Sequence, residues 1–207
     1  MLSRFLKSRS KDPLWDHFVN SPPADAANDT VPHLQSAPEG RIYPVKEEVT
    51  DPANMSQNIK ELAQWLGADL VGIGRIGSSQ DPTAEPAAPE DGTEEDSEGP
   101  VSSGRSFPFA IVCTIAAEYD HREAKGLGGQ QAVQKGAVVN LYLRAYIREL
   151  GYRASFGGPD SMALAEATGL GRLHESGRFA GRGSSPYTYV AEVITTDLPL
   201  APDATID

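Results

Sequence analysis

The sequence is poor in cysteine, with a single residue of this type, Cys113, among 207. A disulfide within the chain is therefore excluded, and so is a metal or iron–sulfur site built on several cysteines. Cys113 lies in the apolar segment FPFAIVCTIAAE. A lone cysteine in such surroundings is typical of a small core residue, and we prefer that interpretation to a catalytic thiol.

Long hydrophobic runs are also missing, and no stretch approaches the roughly 18 apolar residues that a membrane-spanning helix needs. The amino-terminal segment MLSRFLKSRSKDPLW is basic but lacks the apolar core of a secretory signal. We therefore expect a soluble, cytoplasmic protein. Histidine is scarce as well: after residue 50 only His121 and His174 occur. Neither belongs to a paired-histidine ligand motif, so we expect no metal site.

Positive charge is outweighed by negative charge, and the formal net charge is -11. A nucleic-acid partner, which needs a basic surface, is not expected. Residues 81–98 hold eight acids and no base, so the net charge of the remainder is near -3 (-11 plus 8). Residues 77–105 are rich in Pro, Gly, Ser and acids, which predicts a disordered acidic insertion between two strands.

Two parts of the chain differ in pattern. Residues 1–50 show little periodicity and contain several prolines, which predicts an extended amino-terminal arm that docks through Trp15, Phe18 and Tyr43. Residues 51–207 alternate between helical and strand patterns, which predicts one domain that includes the insertion.

The first half of this domain predicts a helix and two strands. Ser56 is a suitable N-cap for the helix, and Gly67 is a suitable residue to end it. ADLVGIGRI then reads as a strand. FPFAIVCTIAAE is nearly continuous in apolar residues, which predicts a central strand that is covered on both faces.

The second half predicts the longest helix, from about residue 129 to Leu150, with Gly151 ending it. YRASF predicts a short strand, and PDSMALAEATG predicts a short helix that begins at Asp160 or Ser161. Residues 170–186 predict a loop with four glycines, and residues 189–196 predict a closing strand. This order indicates an α+β fold, an α/β sandwich.

The long helix should lie across the strands and form one core with them. We expect six side chains to be buried together: Ile111, Val112, Ile115, Leu143, Ile147 and Val193. Asn140 lies on the same largely apolar helix and needs a partner if it is buried. That partner is either neighbouring backbone or the amide of a cofactor.

The segment GLGRLHESGRFAGRG is the first candidate for chemistry. It follows a helix and leads into a strand, which is the wrong context for a dinucleotide fingerprint or a phosphate-binding loop. Arg172, Arg178 and Arg182 give it positive charge. Contact with an anion and a solvated surface loop both remain open.

Four segments in this order resemble the corrinoid-binding domain of reductive dehalogenases: DPANMSQNIKELAQWLGADLVGIGRI, YIRELGYRAS, ATGLGRLHESGR and VITTDLPLAPD. They are more distantly similar to epoxyqueuosine reductase. The resemblance covers most of residues 43–207 outside the insertion. It implies a nitroreductase-like fold that binds cobalamin.

In this family the TDLPL segment leads into a ferredoxin-like module with two [4Fe–4S] clusters. The sequence ends near that point, which implies electron transfer from a separate iron–sulfur protein. A non-catalytic binding, scaffold or regulatory relative, as a homo-oligomer, is the alternative. A flavin-dependent nitroreductase is a third hypothesis that the fold allows.

The resemblance leaves the catalytic residues unassigned. Where the family has a proton-donating tyrosine, this chain has Gln131, Ala132 and Val133, and the nearest upstream tyrosine is Tyr119. The GPRVR motif of the family is replaced by SPYTY at residues 185–189. The electrostatic support that its two arginines would give to a reacting group is therefore absent.

The resemblance also implies a cofactor edge. Glycine lets a flat macrocycle approach the backbone, and polar groups can bind its amide rim. The expected contacts are Gly158, Asp160, Ser161, Gly169, Gly171, Arg172, Tyr187, Thr195 and Thr196. A valine at position 171 is expected to abolish binding without unfolding the domain.

Overall fold

The computed structural model describes residues 12–23, 29–37, 40–76, 107–183 and 185–206. The acidic insertion predicted for residues 77–105 lies outside the described residues. The two strands that flank it in sequence are neighbours in the sheet. At their ends, the backbone N–H of Ile76 donates a hydrogen bond to the carbonyl of Pro108 at 2.9 Å.

The described residues contain five helices, two in the amino-terminal arm and three in the domain. They are α1 (Pro13–Asn20), α2 (Thr30–Gln35), α3 (Pro52–Leu66), α4 (Leu127–Glu149) and α5 (Ser161–Ala167). None of these helices is long and apolar enough to span a bilayer.

Eight strands are described, and five of them have only three residues. They are β1 (Leu70–Ile76), β2 (Phe109–Ala117), β3 (Ala154–Phe156), β4 (Gly171–Leu173), β5 (Phe179–Gly181), β6 (Tyr187–Val190), β7 (Ile194–Thr196) and β8 (Ala204–Ile206). Six form the main sheet, in the order β3-β7-β2-β1-β8 with β6 also paired to β2. Strands β4 and β5 form a separate hairpin.

Strand β2 is the centre of the main sheet, as predicted. It pairs antiparallel with β1, β6 and β7, and β8 joins the sheet parallel to β1. Residues of β2 alternate between the two faces. Ile111, Cys113 and Ile115 pack towards α3 and α4, while Ala110 and Val112 pack towards α5 and the hairpin.

The core is therefore split by the sheet. All six predicted core side chains are buried, with exposures of 2% or less. Val112 and Val193 nevertheless belong to the smaller cluster under α5, whereas the other four lie under α4. The expectation of one shared core was wrong, because successive residues of a strand point to opposite faces of the sheet.

The closing strand, predicted as continuous over residues 189–196, is interrupted. Val190 pairs with Thr114 and Ile194 pairs with Ile111, so three residues on one strand oppose two on β2. This is a β-bulge. The buried Asn140 side chain donates a hydrogen bond to the bulge carbonyl of Glu192 at 2.7 Å. The partner of Asn140 is thus backbone, one of the two options.

Two other local predictions differ from the structure, and a third agrees with it. Helix α3 begins earlier than expected, because Asp51 is its N-cap and Pro52 its first residue, whereas Ser56 is buried and bonds to the Ala201 backbone. Residues 170–186 contain the β4–β5 hairpin and are not a simple loop. Gly67 ends α3 in the left-handed region (φ 114°), as predicted.

The amino-terminal arm contains two helices, whereas its prolines and weak periodicity predicted an extended segment. Trp15 is half-buried, while Phe18 and Tyr43 are 44% and 51% exposed, so only one of the three expected docking side chains is substantially covered. Backbone bonds fix the arm instead: the Tyr43 N–H donates to the Arg148 carbonyl and the Glu47 N–H to the Leu150 carbonyl, both at 2.9 Å.

Candidate functional site

A cavity of about 220 Å³ opens between the β4–β5 hairpin, strand β6 and the amino end of α5. We call it the hairpin cavity. Its walls include Phe179 and Ala180 from β5, Tyr187 and Tyr189 from β6, and Met162 from α5. The turn that precedes α4 closes the remaining side with Asp120, His121 and Arg122.

One of the predicted cofactor residues lines this cavity, and others are next to its lining residues in sequence or across the hairpin. Tyr187 lines it directly, Ser161 precedes Met162 on α5, and Arg172 pairs with Ala180 across the hairpin. Gly169 is held under the Arg182 guanidinium, 3.7 Å from the position of a Cβ. Consecutive elements of the chain, from α5 to β6, thus meet at one edge.

The glycines before α5 form the open part of this edge. Gly157 has a φ of 94°, and no atom lies within 4 Å of the place where a Cβ would stand. Gly158, with a φ of 132°, is exposed and packs against the Thr195 side chain. A flat ligand can therefore approach the backbone at Gly157 without displacing protein atoms, whereas the Thr195 methyl lies 2.6 Å from the Cβ position of Gly158.

Other predicted residues are used by the fold itself. A Cβ at Gly171 would lie 2.3 Å from the Ala180 carbonyl oxygen and 2.5 Å from the Phe179 ring. A valine there would disrupt the hairpin, so the expectation that it leaves the domain intact was wrong. Asp160 is the N-cap of α5, and its carboxylate accepts a hydrogen bond from the Ala163 N–H at 2.8 Å.

The two threonines of β7 face opposite sides of the sheet. Thr196 is fully buried: its hydroxyl donates to the Arg153 carbonyl at 2.7 Å and accepts from the Leu198 N–H at 3.0 Å. Thr195 is also buried, but it lies on the face of Gly158 and α5. Of the pair, Thr195 is the one directed towards the candidate edge.

Ion pairs hold the hairpin to the turn before α4. Arg178, at the start of β5, contacts Asp120 at 2.7 Å and also pairs with Glu123. The Arg122 guanidinium donates to the Gly177 carbonyl at 2.9 Å. Burial alone would raise the pKa of Asp120, but the hydrogen bond from the Arg122 backbone and the nearby charges of Arg178 and Arg122 lower it. The carboxylate is therefore held in its charged form.

An imidazole and a phenol lie together at the floor of the cavity. The rings of His121 and Tyr189 meet edge to face, with centroids 5.0 Å apart. Burial lowers the pKa of His121, although the neighbouring Asp120 opposes this, so the neutral imidazole is favoured at pH 7. Burial and the Glu192 charge raise the pKa of Tyr189, so its phenol keeps its proton. The pair can donate hydrogen bonds without carrying charge.

The Asp120–Arg122 turn was missed by the sequence analysis. The signal was present in the segment AEYDHREA, where a run of ionisable side chains that includes Asp120, His121 and Arg122 follows the carboxyl end of the central strand. Residues at that position commonly line the open edge of a sheet. Cys113 is buried in the core, and this burial raises its pKa to about 12. No group of three metal-ligating side chains is found among the described residues.

No family model and no curated protein matches this chain. Solved structures do match. A structure of the catabolic reductive dehalogenase NpRdhA in complex with 3-bromo-4-hydroxybenzoic acid has a TM-score of 0.61 and 22% identity. The match covers 86% of this chain and 24% of the dehalogenase chain. A reductive dehalogenase structure that suggests a mechanism for B12-dependent dehalogenation has a TM-score of 0.61 and 20% identity, with coverages of 91% and 27%.

Epoxyqueuosine reductase from Bacillus subtilis is a more distant match, with a TM-score of 0.44, 13% identity and coverages of 74% of this chain and 48% of its own. The chain spans about a quarter of the length of the reductive dehalogenase structures. At these identities the likeness shows the fold. The predicted α+β fold of the reductive dehalogenase type is confirmed.

Proposed function

We propose that this protein binds a corrinoid, cobalamin, at the edge formed by Gly157, Gly158, Ser161 and the hairpin cavity. The observation that carries the proposal is the fold: residues over most of the chain share the arrangement of a region of reductive dehalogenases, one of whose structures concerns B12-dependent dehalogenation. Gly157 supports the proposal because no atom lies within 4 Å of the place where its Cβ would stand, which leaves the backbone open to a flat ring.

The size of the cavity indicates how the ligand would lie. A volume of about 220 Å³ is below the roughly 300–1,000 Å³ typical of sites that enclose a drug-sized molecule. A corrin ring is larger still, so it would lie across the open edge at Gly157 and Gly158. The hairpin cavity would receive an amide arm of the ring or a small substrate.

When bound, cobalamin supplies a redox-active cobalt that accepts and transfers electrons. The residues of this chain would then act as binding and proton-holding groups. Tyr189 holds its proton on the phenol oxygen, and His121 is neutral, so either can donate a hydrogen bond to a developing negative charge. Arg178 is already paired with two carboxylates and contributes little uncompensated charge.

Turnover would require a donor of electrons outside these 207 residues, because one cysteine cannot ligate a cluster. We propose an iron–sulfur protein or module in this role, acting in the cytoplasm. A reduced two-cluster ferredoxin should convert cobalamin bound to this chain into a reduced form, which the visible spectrum reports. If bound cobalamin is reduced no faster than free cobalamin, the proposed partner is wrong.

The site is tested by titrating hydroxocobalamin into wild type and into Ser161→Tyr, with absorbance as the measurement. A tyrosine at this half-buried position covers the edge and should weaken binding at least about tenfold. The control, Gln57→Tyr, places the same side chain on the exposed surface of α3, across the sheet. It should bind like wild type.

The outcomes separate the proposals. Equal binding by all three proteins would place cobalamin elsewhere on the chain. Absence of binding by wild type and control would remove the corrinoid proposal and favour the second candidate, a non-catalytic relative. Two of the predicted cofactor residues support that candidate, because their roles are structural. The space beside Gly171 is filled by the opposite strand of the hairpin, and the Thr196 hydroxyl donates to the Arg153 carbonyl. It predicts a colourless protein with a defined oligomeric mass, which light scattering measures.

A further inference from the structure

A second cavity, of about 360 Å³, lies between α1 of the amino-terminal arm and the first two turns of α4. We call it the α1 cavity. Its described lining includes Trp15 and Phe18 from α1, Glu118 and Tyr119 from the end of β2, and the two carboxamide side chains Gln131 and Gln134. None of the predicted cofactor residues belongs to it.

Three aromatic side chains give this cavity its walls. Trp15 is half-buried and its indole N–H donates to the Tyr119 hydroxyl at 3.4 Å, which orients the two rings relative to each other. Phe18 is 44% exposed, and Leu127 on the rim is 55% exposed. Gly128 leaves room for this arrangement, because a Cβ there would overlap Val19 and approach the Tyr119 ring to 3.2 Å.

The charge of the cavity is negative. Among its described lining residues, Glu118 is the only acid and there is no lysine, arginine or histidine. The amino end of α4 does not reverse this, because it abuts the carboxyl end of α1: the Gly126 N–H donates to the Val19 carbonyl at 3.0 Å. Opposed helix ends offset each other's partial charges. An anionic ligand therefore finds no cationic side chain in the described lining.

We propose that the α1 cavity binds a small organic cation of the quaternary or methylated ammonium class. Aromatic rings attract such cations through their faces, and a nearby carboxylate strengthens the attraction. Trp15, Phe18 and Tyr119 supply the rings and Glu118 the carboxylate. A methylated ammonium needs no hydrogen-bond acceptor, so the cavity can bind it through the ring faces and the carboxylate alone.

The chain has two tryptophans, and this allows a direct test. Trp65 lies on α3, outside the cavity, and is 82% exposed. In the full chain carrying Trp65→Phe, Trp15 is therefore the single tryptophan reporter of the cavity. Choline is titrated against 3,3-dimethylbutan-1-ol, an uncharged molecule of the same shape, while the fluorescence of Trp15 is followed.

We expect saturable quenching by choline and binding of the uncharged analogue at least about tenfold weaker, since the difference isolates the charge. In the same background, Glu118→Gln should weaken choline binding several-fold, and the control Glu149→Gln, an exposed acid at the far end of α4, should not. Equal binding of the two ligands by the unaltered cavity, or no saturation up to roughly 100 mM choline, would overturn the proposal. That comparison stands even if Glu118→Gln fails to fold.

Discussion

Asp120 ties the β4–β5 hairpin to the turn before α4 through its ion pair with Arg178. Its carboxylate is 6% exposed and accepts from Arg178 and from the Arg122 backbone. Glu123 pairs with the same arginine but is 70% exposed. The structure thus offers a buried and an exposed carboxylate that share one partner.

We predict that Asp120→Asn lowers the free energy of unfolding by about 1–2 kcal/mol, because it leaves a charged partner without its buried acceptor. Glu123→Gln is the matched control and should cost less than about 1 kcal/mol, since exposed ion pairs contribute little. Urea denaturation of both variants is the measurement. A larger loss for the glutamate variant would contradict the assigned roles.

His121 predicts a pH dependence of stability. Burial keeps its folded pKa below the ordinary value of 6.5, with Arg122 and Lys125 contributing and Asp120 opposing. The unfolded chain then binds the proton more readily than the folded chain. The contribution of His121 to stability is therefore fully present above pH 6.5 and is lost as the pH falls through the lower folded pKa. His121→Phe should flatten the slope of unfolding free energy between pH 7 and 5. A folded His121 midpoint above 6.5 by NMR would refute this.

The residues of the candidate site show what the sequence can and cannot supply. Glycine and polar positions in the segments before and after α5 were recognisable, because turns and caps are encoded locally. The grouping of Asp120 and His121 with Tyr189 was not, because these residues meet only after β2 and β6 pair, some 70 residues apart along the chain. Their ion pairs and ring contact have no local pattern in the sequence.

Helix α4 is the central packing element. Its buried residues include Val139, Leu143 and Ile147, all with 0% exposure, and they cover the face of the sheet that carries Ile111 and Ile115. Periodicity predicted this helix to within two residues of its observed start. Long amphipathic segments are strongly specified by such periodicity.

We predict that Ile147→Ala destabilises the protein by about 2–5 kcal/mol, because it leaves a cavity where the helix crosses the sheet. Glu149→Ala, two residues later and exposed, is the control and should stay within about 0.5 kcal/mol of wild type. Chemical denaturation monitored by circular dichroism measures both. A change below about 1 kcal/mol for Ile147→Ala would mean that this face of the helix packs loosely.

The short strands were less predictable than the helices. The bulge between β6 and β7 depends on the pairing register with β2, which is not local information. The β4–β5 hairpin has three-residue strands in a glycine-rich segment, and its pattern is that of a loop. Both features shape the hairpin cavity, so the site was harder to predict than the fold.

The whole molecule is a sheet with helices on both faces, interrupted in sequence by the acidic insertion. The strands on either side of the insertion, β1 and β2, are antiparallel neighbours, and Arg75 pairs with Phe109. A short turn can therefore connect β1 to β2 directly.

We predict that replacing residues 77–105 with Asn-Gly keeps the melting temperature within about 5 °C of wild type, because shortening a loop between paired strands changes closure entropy little. Differential scanning calorimetry is the measurement. A much larger fall would show that the insertion contributes to the packed structure.

The central claim for the whole molecule is that this fold binds cobalamin at the edge beside the hairpin cavity. Equilibrium dialysis of the 207-residue chain against hydroxocobalamin tests it most directly, because weak binding is not lost during separation. The account predicts saturable binding that approaches one cobalamin per chain, with a dissociation constant of roughly micromolar order. Retention no greater than that of an unrelated protein at the same concentration would contradict it.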